Sequence, residues 1–374
     1  MGSHALLSPS SAARWTACPP SARLCEHVAE GPSVFAEEGT EAHTLCEHKV
    51  KLALGLASVD PVPTLRYHSE EMDSCADEYA AFVLEALQRE KESGGDPIVL
   101  TEQRLDISAF VPECSGTGDC VIVSDGRLHV IDFKYGQGVP VSAERNKQMM
   151  LYALGALGMF GSLYEVDEVS MTVFQPRLAN VGTSTMGVDE LLGWAESYLK
   201  PRAELAFQGG GEFSSGPHCR FCKVKATCRA RAEANLELAR YEFAKPVLLG
   251  EDEIAAILTQ ADELEAWVGD IRAHAFSVVA GGGTLEGFKL VEGRSVRRYT
   301  DEDSVAEAVA TAGYDPYEQK VRGITAMTEL LGRTRFNEIL GPYVCRPKGK
   351  PTLVPESDKR PAITIDDFED IKEK

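Results

Sequence analysis

The sequence predicts an α/β protein, and three observations predict it. Apolar residues recur at helical spacing over residues 8–52 and 74–92. After Gly94-Gly95-Asp96-Pro97 the period shortens, and β-rich runs at Asp119–Val123 and Leu128–Lys134 flank Ser124-Asp125-Gly126-Arg127, a hairpin signature. Helical and extended segments then alternate as far as residue 208.

Each element has a local reason. In residues 8–52, Ser8-Pro9-Ser10-Ser11 supplies a cap and a first-turn proline, and Ala12, Trp15 and Leu24 supply apolar positions. From Ser74 to Glu92, the residues Tyr79, Phe82, Val83, Ala86 and Leu87 form one stripe, which the Gly-Gly-Asp-Pro sequence ends. Ile98-Val99-Leu100 opens the extended region that leads into the hairpin. A helix is expected from Ala143 to Met159, a strand from Glu168 to Gln175, and a helix from Val188 to Gln208. The character changes after Ala244-Lys245-Pro246, so domains are expected at 5–244 and 245–374. The second opens on an amphipathic helix, Glu251 to Ala280, stopped by Gly281-Gly282-Gly283. Short helices and strands then give an α+β region, which ends in a Pro- and charge-rich tail.

Composition narrows the function classes. The 374 residues suffice for two domains, and 38 Lys+Arg against 58 Asp+Glu leave a net charge of −20. That charge excludes a broad electrostatic grip on nucleic acid and leaves room for a local basic groove. No apolar run is long enough to span a bilayer, and no charged region precedes an apolar stretch at the N-terminus. The expected location is the cytoplasm, with no membrane partner.

The hairpin carries the chemistry. With Asp125-Gly126 as the central pair of the turn, Ser124 faces Arg127 and Asp119 stands opposite Asp132. Opposed residues share a face with Cβ atoms about 4.5–5.5 Å apart, and Lys134 projects from that face two residues on. Paired carboxylates repel unless a cation lies between them, and hard oxygen donors suit Mg²⁺ or Mn²⁺. A lysine beside such an ion can orient water and stabilise charge on a phosphate. Isolated, Asp-x-Lys is a common tripeptide; here Val130, Ile131 and Phe133 argue for a central strand, where charges need partners.

Ten cysteines in such a chain point to thiol or metal chemistry. Cys219, Cys222 and Cys228 form a C-x2-C-x5-C array, a strong metal signal. A fourth ligand is either His218, giving a zinc site, or a distant cysteine. Cys25, Cys46, Cys75, Cys114, Cys120 and Cys345 have no mutual metal spacing and are expected as buried thiols.

Gly116-Thr117-Gly118-Asp119, Ile131-Asp132-Phe133-Lys134-Tyr135-Gly136 and Gln148-Met149-Met150-Leu151-Tyr152 together resemble the PD-(D/E)XK nuclease pattern. The resemblance is to the RecB-like iron–sulfur exonucleases, and it covers roughly residues 8–235. The whole chain also resembles a phage and prophage family of unknown function. The nuclease resemblance implies a restriction-endonuclease-like core, a mixed central β-sheet flanked by helices. It implies Asp119, Asp132 and the Phe133 carbonyl as metal ligands, Lys134 as the water-activating lysine, and His43 as a further ligand from an N-terminal helix. Without it His43 reads as a surface histidine. Gln148 and Tyr152, at i and i+4 on one helix face, would stand beside the site. Glu102 is either another carboxylate ligand or a solvated side chain. Gly118 replaces the proline that names the superfamily. For the cysteines the resemblance implies a 4Fe-4S cluster, with the fourth ligand from the N-terminal helix, Cys18 or alternatively Cys25. That cluster would clasp the two ends of the nuclease domain.

Basic residues gather at Arg220, Lys223, Lys225, Arg229 and Arg231, and at Arg145 and Lys147. Others stand at Arg294, Arg297 and Arg298, and along the tail at Arg346, Lys348, Lys350, Lys359 and Arg360. The expected function is a metal-dependent DNA nuclease, an exonuclease working with phage recombination or replication proteins on single-stranded DNA or duplex ends. The alternative is an iron–sulfur or zinc DNA-binding scaffold that cleaves little.

Overall fold

The chain begins with short helices rather than one continuous run. In the computed structural model, which describes residues 5–28, 33–237, 249–292, 299–317, 320–345, 354 and 358, α1 is Ala12–Ala17, α2 is Ser21–Glu26 and α3 is Val34–Ala53. Pro19-Pro20 separates the first two, because neither proline can donate the N–H that would continue the helix. Cys18 therefore caps the end of α1. Helix α4, Glu70–Glu92, starts earlier than expected because the Ser69 hydroxyl accepts from Met72 N and caps it there.

Five strands make one sheet in the order β1–β2–β3–β4–β5: Ile98–Asp106, Ser115–Ser124, Gly126–Phe133, Val166–Gln175 and Asn180–Gly187. Neighbours are antiparallel except β3 and β4, which run parallel because helix α5, Lys147–Phe160, crosses between them. Strand β5 has no counterpart among the expected elements. The helix expected from Ala143 starts at Lys147, since Arg145 takes a left-handed φ of 46° and Asn146 caps the first turn through Gln148 N and Met149 N. Residues 188–208 are helical as expected: α6, Val188–Trp194, then a π turn over Ala195–Leu199, then α7, Lys200–Gln208. The widened turn sits immediately before Pro201, whose ring and missing N–H a regular helix would not accommodate.

Alternation along the strands builds two cores. Val121, Val123, Leu128 and Val130 pack with Met150, Leu151 and Leu154 of α5 on one face. Cys120, Ile122, Ile131 and Phe133 pack with Leu45 of α3 and Tyr79 and Val83 of α4 on the other. The sheet is thus covered by helices on both faces, the mixed α/β arrangement expected.

The C-terminal boundary differs from expectation. The chain divides into Met1–Ser277 and Val278–Lys374, so most of helix α9, Glu251–Ala280, belongs to the first unit. The reason is electrostatic. Arg231 of α8, Arg229–Leu236, has a fully buried side chain that donates to Glu263 at 2.7 Å and to Asp270 at 2.6 Å, both on α9. Lys225 adds a second cation at Asp270, 2.8 Å away. In the second unit, helices α10, Glu302–Thr311, α11, Ile324–Leu331, and α12, Arg333–Leu340, are the main elements. Among its described residues the only extended pairing is the bridge between Leu285 and Phe288, so the expected α+β character is not found there. Among the described residues no helix is long and apolar enough to cross a membrane.

Candidate metal centre

The hairpin register is the expected one. Ser124 pairs with Arg127 and Cys120 with Ile131, and one further step places Asp119 across from Asp132. Asp119 shares the strand face of Val121, and Asp132 that of Val130, so both point to the α5 side. Asp119 Oδ2 accepts from Phe133 N at 2.7 Å, so the contact of Phe133 with the carboxylate runs through its N–H. Lys134 Nζ lies 2.9 Å from Asp132 Oδ2, while its own backbone N–H extends the ladder to Phe174 O.

Two residues close the site from other elements. His43 of α3 stands with Nδ1 3.3 Å from Asp119 Oδ1, its ring edge-on to Phe133. Glu102 arrives from the neighbouring strand: Thr101 pairs with Cys120 and Gln103 with Gly118, so Glu102 stands across from Asp119, at a φ of 48°. Ligand atoms of His43, Glu102 and Asp119 lie within 4.8 Å of one another, the one His/Cys/Asp/Glu group of that spacing among the described residues. Asp132 does not complete a set of that spacing with them.

Helix α5 supplies the remaining polar contacts. Gln148 Oε1 accepts from Lys134 Nζ at 3.3 Å, and its Nε2 donates to Asp132 Oδ1 at 3.3 Å and to the Tyr152 hydroxyl at 3.1 Å. Tyr152 reaches this position only because residue 116 is glycine; a Cβ there would stand 2.7 Å from the tyrosine ring and 2.9 Å from Pro9.

The electrostatics are those of crowded acids held by two cations. Burial raises the Asp132 carboxyl above its ordinary value and outweighs the Lys134 charge, with Asp119 adding to the rise. Burial would lower Lys134, but Asp132 more than offsets it and keeps the ammonium protonated. Burial likewise opposes the charge on His43, yet Asp119 raises it above its ordinary value. Burial and the Asp119 charge push Glu102 up to about 7. Asp132 Oδ2 is buried without an aligned hydrogen-bond donor, despite the nearby Lys134 charge. An open carboxylate oxygen beside a His–Glu–Asp set fits a hard divalent cation.

The cysteines gather at the other end of α1. Cys18, Cys219, Cys222 and Cys228 line one cavity together with Arg14, His218 and Lys225. His218 is hydrogen-bonded to Cys18 and Cys219 and to Ser214 O. Those bonds hold Cys18 and Cys219 below the ordinary thiol range even though burial alone would raise both. Cys25 is not on the cavity wall; its Sγ lies 3.7 Å from that of Cys222. Of the cysteines expected as buried, Cys345 is instead exposed.

A family model described as protein of unknown function (DUF2800) matches residues 4–361. The chain belongs to that family. Among solved structures, the crystal structure of SSO0001 is similar over 52% of this chain and 98% of its own, at 14% identity and a TM-score of 0.23. At that score the likeness bears on neither fold nor function.

In this DUF2800 chain four residues of the expected basic track are paired within the fold, while Arg220 and Arg229 are exposed. Arg231 and Lys225 are tied to α9, Lys147 donates to Thr16 Oγ1 at 2.8 Å, and Arg145 pairs with Glu190 at 2.6 Å. Arg294, Arg297, Arg298, Arg346, Lys348, Lys350, Lys359 and Arg360 lie outside the described residues. The structure also brings Glu102 beside His43 and Asp119, where the sequence left two readings open. The signal is the β1–β2 register, which sets Glu102 across from Asp119, and no local residue pattern announces it.

Proposed function

We propose that the protein is a metal-dependent DNA nuclease of the PD-(D/E)XK, RecB-like kind, an exonuclease acting in the cytoplasm on single-stranded DNA or duplex ends. The observation that carries this reading is the convergence of Asp119, Asp132 and Lys134 from one hairpin with His43 and Glu102 from two other elements. Structural salt bridges seldom need three carboxylates around one histidine; a cation resolves their repulsion. Phage recombination or replication proteins would be its working partners.

His43, Glu102, Asp119, Asp132 and the Phe133 carbonyl would hold Mg²⁺ or Mn²⁺. Such an ion would make a bound water more acidic and would set positive charge against the phosphate. Lys134, 2.9 Å from Asp132 Oδ2, would orient the attacking water and place positive charge toward a phosphate oxygen. Gln148 bridges Lys134 and Asp132 and fixes the ammonium in place. The Tyr152 hydroxyl anchors the amide of Gln148.

Cys18, Cys219, Cys222 and Cys228 would hold a 4Fe-4S cluster, clasping α1 to the segment that follows α7. The donor set fits, since soft thiolates share one cavity edged by Arg14 and Lys225. Its contribution would be folding energy. A brown anaerobic preparation containing iron and sulfide supports this; a colourless one containing zinc overturns it.

The test of activity is end-labelled single- and double-stranded DNA incubated with Mg²⁺ or Mn²⁺. The wild type is expected to shorten it, and Asp119→Asn and Asp132→Asn are expected to leave it intact. Binding without shortening in all three would instead support a DNA-binding scaffold.

A further inference from the structure

We propose that Cys25 and Cys222 form a redox-active dithiol whose oxidant is a low-molecular-weight disulfide, and that its closure competes with metal loading for Cys222. Five cysteines meet at this end of the molecule, and four of them line the cavity. The fifth, Cys25, is buried behind it with Sγ 3.7 Å from Cys222 Sγ. No third thiol, imidazole or carboxylate among the described residues joins that pair at the 4.8 Å spacing that marks a single-ion site. The pair therefore has the proximity of a cross-link and lacks the donor set of a separate metal site.

The chemistry balances without further reactants. One thiolate attacks a sulfur of the oxidant and expels its first thiolate, leaving a mixed disulfide on the protein. The second protein thiolate attacks that mixed disulfide and expels the other. Two protein thiols lose two protons and two electrons, and the oxidant leaves as two thiols. Closing the pair from 3.7 Å to a bond of about 2.05 Å needs only a small movement of two side chains. The bond would join positions 197 residues apart, tying α2 to the cysteine segment that the proposed clasp also ties. The competition, though not the dithiol itself, rests on the clasp reading.

The experiment uses the full chain, reduced and stripped of metal with a chelator, then desalted and incubated with oxidised glutathione. Faster migration on a non-reducing gel is expected, with a peptide pair linked through Cys25 and Cys222. Cys25→Ser and Cys25→Ala should both lose that link and keep iron or zinc loading. Cys18→Ser should keep the link and lose loading. The oxidised wild type should take up no iron or zinc until it is reduced. A link through other cysteines, no link at all, or loss of loading in both Cys25 variants would overturn the proposal. A Cys25–Cys222 link in a protein that never loads metal upholds the dithiol and defeats the clasp.

Discussion

Glu102 occupies a left-handed backbone conformation, φ 48°, in the middle of a strand. For a residue other than glycine this costs of order 1–3 kcal/mol, and such strain concentrates at functional sites. Its carboxyl, pushed up to about 7 by burial and Asp119, holds a proton more tightly in the folded chain than in the unfolded one. The linked stability is fully present below the ordinary value of 4.5 and is lost as pH rises through about 7. His43, also raised, acts in the same direction through its own range. In EDTA, urea unfolding should therefore show stability falling across this window, and Glu102→Gln should flatten its acidic part. Equal slopes in the two proteins would remove Glu102 from the site. At Gly116 the prediction is steric. Gly116→Ala drives a methyl group against the Tyr152 ring and should cost about 1–3 kcal/mol in the same unfolding measurement.

Elements differ in how far the sequence foretells them. The hairpin was legible because a two-residue turn fixes the register, and that register brings Asp119 and Asp132 to one face. Helix α5 was legible apart from its start, which depends on the left-handed Arg145 and the Asn146 cap. Strand β5 was not, because its Thr, Ser and Gly residues carry little apolar signal; it is held by the ladder to β4 and by Thr172–Thr183 hydroxyl contact at 2.7 Å. The place of Glu102 across from Asp119 depends on how β1 pairs with β2, and no short turn joins those strands to fix the register, so it left no trace. The tie of Arg231 to α9, which sets α9 with the first unit, is long-range and so left no local signal near residue 245. Removing that tie has a measurable consequence. Arg231→Leu leaves Glu263 without its cation and Asp270 with Lys225 alone. It should cost roughly 3 kcal/mol and raise hydrogen exchange in α9 more than in the sheet.

At the scale of the molecule, the charge of −20 and the paired basic residues make the same point. On the proposed nuclease reading, affinity for DNA would lean on the metal ion and on Lys134. That dependence makes Lys134 the residue on which the account stands. The direct measurement is the single-turnover rate of cleavage of end-labelled DNA at saturating Mn²⁺, compared between wild type and Lys134→Ala, with Mn²⁺ affinity measured in parallel. A rate about 10²–10³-fold lower in Lys134→Ala, at nearly unchanged Mn²⁺ affinity, is expected; equal rates in both proteins, or no cleavage by either, would contradict the catalytic role of Lys134.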